Sequence, residues 1–182
     1  MNLPGILQIG GTERNIGKTL LACRILEHFS KQHSITAVKI SVIDNLPKGS
    51  PEKGYRDLSG KYLLTEENTD DKNSNTYRFL ESGAVKAFWL RTRGEFFKEA
   101  FEFALKTIGQ NQLMICESNH LRNYFKPGAF IMLYNHNAEN YKESSLKILD
   151  LADIRIDADK DFNSFNSESL NISEKGWSFS KP

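Results

Sequence analysis

The segment that most constrains the fold of this 182-residue chain is a glycine-containing stretch that ends in Gly-Lys-Thr. It covers residues 10–19, after an apolar run at 6–9 and before Leu21, Ile25 and Phe29, which recur at helical spacing. A strand, a glycine loop and a helix in this order form an anion site, because backbone N–H groups and the positive end of the helix dipole point to the same place. The segment therefore predicts a binding site for the phosphates of ATP or GTP.

The residue types in this segment fit the chemistry of a triphosphate. Lys18 is expected to reach the β- and γ-phosphates as a point charge, and the Thr19 hydroxyl to be a ligand of the bound Mg²⁺. Gly17 has no Cβ that would hold a phosphate away from the backbone. The predicted nucleotide-binding residues are Gly11, Thr12, Glu13, Asn15, Ile16, Gly17, Lys18, Thr19 and Leu20.

The rest of the chain alternates strand-like apolar runs with helical periodicity, which predicts parallel βαβ units. Strands are expected at 6–9, 35–40, 84–90, 113–116, 129–134 and 153–156, a strong helix at 97–108 and a weaker one at 139–149. We therefore predict an α/β chain with a three-layer P-loop NTPase fold and a mostly parallel central sheet. Residues 1–158 would form this domain, and residues 159–182 a C-terminal tail.

Two segments depart from the α/β pattern. Residues 44–75 are polar and contain several glycines and prolines, which favours a long loop that meets a substrate or partner over a plain linker. The tail contains Trp177 and Phe179, so it either docks on the domain through these rings or is a frayed terminus.

Composition limits the kinds of partner and the location that we expect for the protein. A formal net charge of +1 gives no global reason to expect nucleic acid or an anionic membrane as a partner. The sequence has no apolar run of membrane-spanning length and no leader before its first strand, so a cytoplasmic location is expected. The two cysteines, Cys23 and Cys116, lie in apolar surroundings and are expected to be core residues.

Polar residues that follow the predicted strands are the candidates for chemistry, because ligands of a parallel sheet bind at the carboxyl ends of its strands. Glu117 follows four apolar residues and is expected to bind Mg²⁺ directly or through water, the alternative being a surface carboxylate. Lys39 lies near the end of the second strand and faces either the ligand or solvent. Arg91 and Arg93 are candidates for an anionic substrate, or are solvated charges.

Other polar residues compete for these roles. Asp44 is a weaker metal candidate than Glu117, and nothing in the sequence ranks it against the three further aspartates of the 44–75 segment: Asp57, Asp70 and Asp71. Three residues that follow Glu117 are candidates for substrate contacts: Asn119, His120 and Arg122. A guanine-reading Asn/Thr-Lys-x-Asp motif is missing, and the nearest segment, 135–138, lacks both the lysine and the aspartate. The choice between ATP and GTP therefore stays open.

Residues 11–19, Gly-Thr-Glu-Arg-Asn-Ile-Gly-Lys-Thr, resemble the phosphate loop of dethiobiotin synthetases, which reads Gly-Thr-Asp-Thr-x-Val-Gly-Lys-Thr. The first glycine lies six positions before the second, one more than in the common pattern. The segment is thereby similar to a wider class of P-loop proteins that includes signal-recognition GTPases and metal-cofactor maturation GTPases. The resemblance implies a catalytic role for Lys39, which would contact both the ATP phosphates and a substrate amine.

Residues 76–84 are similar to the Asp-Ser/Thr-x-Arg-x-x-x-x-Gly-Ala segment of the MobB family of molybdopterin-guanine dinucleotide biosynthesis proteins, with Asn75 in place of the aspartate. In that family a later strand ends in a glutamate, as the strand before Glu117 does here. The two similarities together span residues 5–156. The MobB resemblance implies a protein partner in cofactor biosynthesis, and membership of the wider class implies a homodimer across the nucleotide face.

Three functions fit these residues. The leading one is a MobB-like accessory protein with slow Mg²⁺-dependent NTPase activity, in which Lys18, Thr19 and Glu117 neutralise charge and water is the nucleophile. The second is an ATP-dependent ligase that resembles dethiobiotin synthetase and needs Lys39. The third is a non-enzymatic interaction module gated by nucleotide, with segment 44–75 as its partner surface.

Overall fold

The computed structural model describes residues 1–48, 54–57, 59–67, 72, 74–137 and 141–180. The strands within these ranges are β1 (Asn2–Gly11), β2 (Ile35–Val42), β3 (Gly54–Arg56), β4 (Tyr62–Glu66), β5 (Lys86–Thr92), β6 (Leu113–Glu117), β7 (Lys126–Tyr134), β8 (Ile154–Asp157), β9 (Leu170–Ser173) and β10 (Gly176–Phe179). The α-helices are α1 (Lys18–Phe29), α2 (Asn75–Glu81), α3 (Phe97–Ile108) and α4 (Glu143–Leu146).

The central sheet has the strand order β3-β4-β5-β2-β6-β1-β7-β8. Every neighbouring pair from β5 to β8 is parallel, whereas β3 and β4 add an antiparallel edge. A parallel sheet needs cover on both faces. Helices α1 and α2 pack on one face and α3 on the other. The predicted α/β fold with a mostly parallel sheet between helices is confirmed.

Alternation along the strands divides the interior into two cores, because successive side chains point to opposite faces of a sheet. Leu7 and Ile9 of β1 belong to the core that contains Ile25 of α1. Met114 of β6 belongs to the core that contains Phe101 of α3. Because β1 ends at Gly11 and α1 begins at Lys18, the carboxyl ends of the central strands lie next to the amino terminus of α1. This is the predicted site of ligand binding.

The segment 44–75 was expected to be a long polar loop, and its described parts differ from that expectation. Strands β3 and β4 pair with each other, and β4 continues the sheet beside β5. The start of β4 is buried at Tyr62, Leu63 and Leu64, a run too short to stand out in a polar segment. The expectation of a continuous loop is therefore wrong for these two strands.

The C-terminal tail folds back onto the domain. Strands β9 and β10 form an antiparallel hairpin, and Trp177 in β10 is only 2% exposed. The Trp177 ring meets the ring of Phe29 edge to face, with the ring centroids 5.2 Å apart, and Phe179 packs on the same core. Of the two alternatives for the tail, the structure has the docked one.

The helix predicted at 139–149 is present only in part. Helix α4 covers Glu143–Leu146 and a 3-10 turn follows at Leu149–Leu151, whereas residues 139 and 140 lie outside the described residues. In the described part of the chain, no helix combines the length and apolar character needed to cross a membrane.

Candidate functional site

A cavity of about 680 Å³ opens at the carboxyl ends of β2 and β6, beside the segment that joins β1 to α1. Its walls come from that segment, the end of β2, helix α2, the end of β6 and the start of α4. Nine of the residues that the sequence predicts at the site line it: Asn15, Gly17, Lys18, Thr19, Leu20, Lys39, Glu117, Asn119 and His120. The sequence-predicted nucleotide segment and the strand-end candidates therefore meet in one place.

The backbone of the loop depends on glycine at two positions. Gly17 precedes the first residue of α1 with φ of +105°, a left-handed conformation that favours glycine. At Gly11, a Cβ would lie 2.6 Å from Cγ2 of Ile16, so a side chain there would push the loop apart. Asn15 also has positive φ, +60°, which asparagine tolerates better than most residues. The curled path of the loop is therefore encoded locally.

Asn119 fixes the beginning of the loop from the neighbouring strand. The Gly11 N–H donates to Asn119 Oδ1 at 2.9 Å, and Asn119 Nδ2 donates to the Gly11 carbonyl oxygen at 2.8 Å. Next to it, Gln8 Nε2 donates to the Ser118 carbonyl oxygen at 2.8 Å. Asn119, expected to contact substrate, lines the cavity, but its side-chain amide makes hydrogen bonds that position the loop.

Thr19, Glu117 and Lys39 form a chain of polar contacts at the cavity wall. Thr19 Oγ1 donates to Glu117 Oε2 at 2.7 Å, and Glu117 Oε1 lies 3.8 Å from Lys39 Nζ. Glu117 is only 7% exposed, so it is not a surface carboxylate. Lys39 and Glu117 meet because they are register partners on the neighbouring parallel strands β2 and β6.

Lys18 begins α1 and lies among these groups. Its Nζ donates to the Glu13 carbonyl oxygen at 3.2 Å. Burial lowers the pKa of the Lys18 ammonium, Glu117 raises it, and Lys39 lowers it again. A lysine held in a desolvated place, with its positive charge only partly compensated, is suited to bind an anion.

Several other predicted site residues lie away from the cavity walls. Gly11, Thr12, Glu13 and Ile16 shape the loop without being among the described residues that line the cavity, and Thr12 is fully buried. Asp44 is also outside this lining, although Val42 and Ile43 before it are part of it. The expectation of Asp44 as a metal ligand is therefore not supported by its position.

The predicted arginines and Asp57 contact residues away from the cavity. Arg91 lies 4.2 Å over the ring of Trp89, measured from its guanidinium carbon, while Arg93 pairs with Glu95. The two arginines therefore have different partners, and neither is among the described residues of the cavity wall. Asp57 accepts a hydrogen bond from the Lys61 N–H at 3.2 Å. Asp70, Asp71 and the end of segment 135–138 lie outside the described residues.

Sequence reasoning gave no site role to seven of the polar residues that line the cavity: Arg14, Ser41, Asn75, Arg78, Ser118, Lys142 and Ser144. Arg78 and Asn75 are present because α2 packs beside α1, a contact between elements far apart in the sequence. His120 also lines the cavity, and burial lowers its pKa, with Lys147 lowering it further. His120 is therefore expected to be neutral at pH 7.

The docked tail supports the loop through Phe162. A Cβ on Gly17 would lie 3.0 Å from the Phe162 ring, and the Arg24 guanidinium lies 4.7 Å from the centre of that ring. Arg24 Nη1 also donates to the Phe162 carbonyl oxygen at 3.0 Å. The residues after β8 therefore cover the outer side of the loop at the start of α1.

Phe162→Leu is expected to lower the free energy of unfolding by about 1 kcal/mol, because leucine keeps apolar contact but loses the ring that covers Gly17 and meets Arg24. Urea unfolding measures this change. Phe179→Leu is the matched control, since Phe179 packs on the same core but is on the C-terminal hairpin. Only Phe162→Leu should also weaken binding of the nucleotide that the sequence predicts for this loop. Equal affinity for ATP or GTP in both variants would show that Phe162 does not support the loop.

Comparisons of the chain with protein-family models, curated proteins and solved structures gave no match. Within the described ranges, no group of three or more His, Cys, Asp or Glu side chains is arranged to hold a metal ion. The geometry of the cavity is therefore the basis for a functional assignment.

Proposed function

We propose that the protein binds a nucleoside triphosphate with Mg²⁺ in this cavity, hydrolyses it slowly, and has an accessory role in cofactor biosynthesis similar to that of the MobB family. The observation that carries the proposal is the convergence of Lys18, Thr19 and Glu117 at the amino terminus of a 12-residue helix. The amino terminus of a helix of this length offers free N–H groups and the positive end of the helix dipole to phosphate oxygens. A cytoplasmic location and a protein partner belong to the same proposal.

The residues present fit Mg²⁺. The Thr19 hydroxyl and the Glu117 carboxylate are 2.7 Å apart and are both oxygen donors, the ligand type that Mg²⁺ prefers. These two side chains would hold the ion, with the phosphates and water completing its ligands. When bound, Mg²⁺ would supply neutralisation of phosphate charge.

The contribution of the chain itself is binding and charge neutralisation. Lys18 would neutralise the phosphate oxygens, and the loop backbone would hold them in place. Glu117 is the one carboxylate among the described residues that line the cavity, and it already pairs with Thr19 and Lys39. Because this carboxylate is already paired with Thr19 and Lys39, we expect it to accept a proton from water poorly and hydrolysis to be slow.

Calorimetric titration with Mg²⁺ and either ATP or GTP tests the proposal, together with an assay for phosphate release. Micromolar or tighter binding of one triphosphate with slow release would support it. Binding with no release would favour the nucleotide-gated interaction module. A protein that binds neither nucleotide would not be a member of this class.

The position of Lys39 favours the ligase as a second candidate. Lys39 lines the cavity and lies 3.8 Å from Oε1 of Glu117, whereas Thr19 donates to Oε2, so Lys39 would be available to a second substrate bound beside the phosphates. Dethiobiotin synthetases use a lysine in the matching place of their sequence. The accessory NTPase needs no second small substrate, so the two functions differ in one measurable property.

Lys39→Ala separates the two functions in an assay of phosphate release from ATP, with and without 7,8-diaminopelargonate and bicarbonate. For the accessory NTPase, release is indifferent to these substrates, and the variant loses at most a few-fold in nucleotide affinity. For the ligase, release depends on the substrates and vanishes in the variant, because both positioning and charge are removed. Substrate-dependent release would therefore replace the leading proposal by the second.

A further inference from the structure

The connection between β7 and α4 brings a second lysine, Lys142, to the phosphate loop. The Lys142 backbone N–H donates to the Thr12 carbonyl oxygen at 3.0 Å, within the loop itself. The Lys142 carbonyl oxygen accepts from the Ser145 N–H at 2.8 Å and from Ser145 Oγ at 2.6 Å. Because Ser145 is fully buried, the backbone of Lys142 is fixed from both sides.

The Lys142 side chain lines the same cavity as Lys18 and Arg14. Burial lowers the pKa of its ammonium, and the charges of Lys18 and Arg14 lower it further, while Glu117 and Glu13 raise it. Among the described residues, no carboxylate lies within ion-pair distance of Lys142. Lys142, Lys18 and Arg14 thus share one cavity with Lys39 and Arg78, and an anion would offset the repulsion among these positive charges.

We propose that Lys142 binds the polyphosphate chain of the nucleotide, as a cation that the chain delivers from outside the Gly-Lys-Thr segment. This inference rests on the proposed function. Two observations favour the phosphates as the group that Lys142 contacts. The two cations whose charges act on Lys142 are Lys18 and Arg14, and both belong to the phosphate loop. An ammonium has donors and no acceptor, so it suits phosphate oxygens better than the mixed donors and acceptors of a base edge.

The position of Lys142 also connects the phosphate loop to helix α4. Its backbone is hydrogen-bonded to the loop at Thr12 and to the first turn of α4 at Ser145. A phosphate held by the Lys142 side chain would therefore connect the nucleotide to α4. Lys147 directly follows α4 as Lys142 directly precedes it, but the Lys147 side chain is 65% exposed and pairs with Glu143 at 3.0 Å, so Lys147 offers a control at the other end of the same helix.

The test compares Lys142→Met, Lys142→Arg and Lys147→Met by calorimetric titration with three probes in the presence of Mg²⁺: ATP, GTP and inorganic tripolyphosphate. Lys142→Met is expected to bind tripolyphosphate and the preferred nucleotide about 10-fold more weakly, because one charge-assisted contact is lost. Lys142→Arg should stay within about 3-fold of the original protein, since it keeps the charge. Lys147→Met should leave all affinities unchanged.

Two results would overturn the inference while the proposed function stands. Unchanged tripolyphosphate affinity in Lys142→Met would show that the side chain does not reach the phosphates. Loss of nucleotide affinity with tripolyphosphate affinity intact would place Lys142 at the ribose or base instead. Failure of the proposed function looks different, because Lys18→Ala would then bind all three probes as well as the original protein does. Thermal unfolding of each variant checks the fold, and Lys142→Gln repeats the measurement if methionine lowers the unfolding temperature.

Discussion

Lys18→Ala is expected to lower the affinity for a Mg²⁺–triphosphate by at least about 30-fold, which corresponds to about 2 kcal/mol of binding free energy. The physical reason is the place of the ammonium at the start of α1, where burial lowers its pKa and the opposite charge of Glu117 offsets this only in part. Calorimetric titration with a nonhydrolysable triphosphate measures the loss. Lys31→Ala is the control, because Lys31 is exposed beyond the other end of α1.

Lys18→Ala should not lower the free energy of unfolding of the ligand-free protein. Since burial lowers the pKa of Lys18, the folded protein binds fewer protons than the unfolded chain between the lowered pKa and the ordinary lysine value. The free energy of unfolding therefore rises with pH in that alkaline range, and Lys18→Ala should flatten this rise. Equal triphosphate affinity in Lys18→Ala and the original protein would contradict the phosphate-loop assignment, whatever the effect on stability.

The parts of the site that could be predicted from sequence are the local ones. Gly17, Lys18 and Thr19 sit in consecutive positions, and their roles depend on a strand before them and a helix after them, both of which have clear periodicity. Glu117 could be predicted because parallel strands place their carboxyl ends at one edge. The pairing of Glu117 with Lys39 could not, since it depends on the register between β2 and β6.

The residues that sequence reasoning missed are those that long-range packing delivers. Lys142 reaches the loop through one backbone hydrogen bond to Thr12, and Phe162 reaches Gly17 because the chain returns after β8. Neither has a local signal, since a lysine and a phenylalanine in polar segments are common. Strand β4 was missed for a related reason: its apolar run is short and gains its burial from pairing with β5. Contacts between distant segments override local composition in each case.

Glu117→Gln is expected to lower the rate of triphosphate hydrolysis by about 100-fold, a loss typical of removing one charged stabiliser from a preorganised site. The amide can still accept the hydrogen bond from Thr19, so the shape of the wall should be retained. Its negative charge, which opposes the positive charges of Lys39 and Lys18, is lost. Nucleotide affinity without Mg²⁺ should therefore stay equal or increase, whereas a higher Mg²⁺ concentration should be needed for half-maximal hydrolysis.

Phosphate release measured across a series of Mg²⁺ concentrations separates these effects. Glu99→Gln is the control, because Glu99 is an exposed carboxylate on α3 that pairs with Lys61 at 3.0 Å, away from the cavity. A hydrolysis rate and a Mg²⁺ requirement equal to those of the original protein would show that Glu117 positions Thr19 without meeting the metal. In that case Thr19 would be the one predicted metal ligand left at the cavity wall, because Asp44 is not among the residues described there, and the remaining Mg²⁺ ligands would have to come from the phosphates and water.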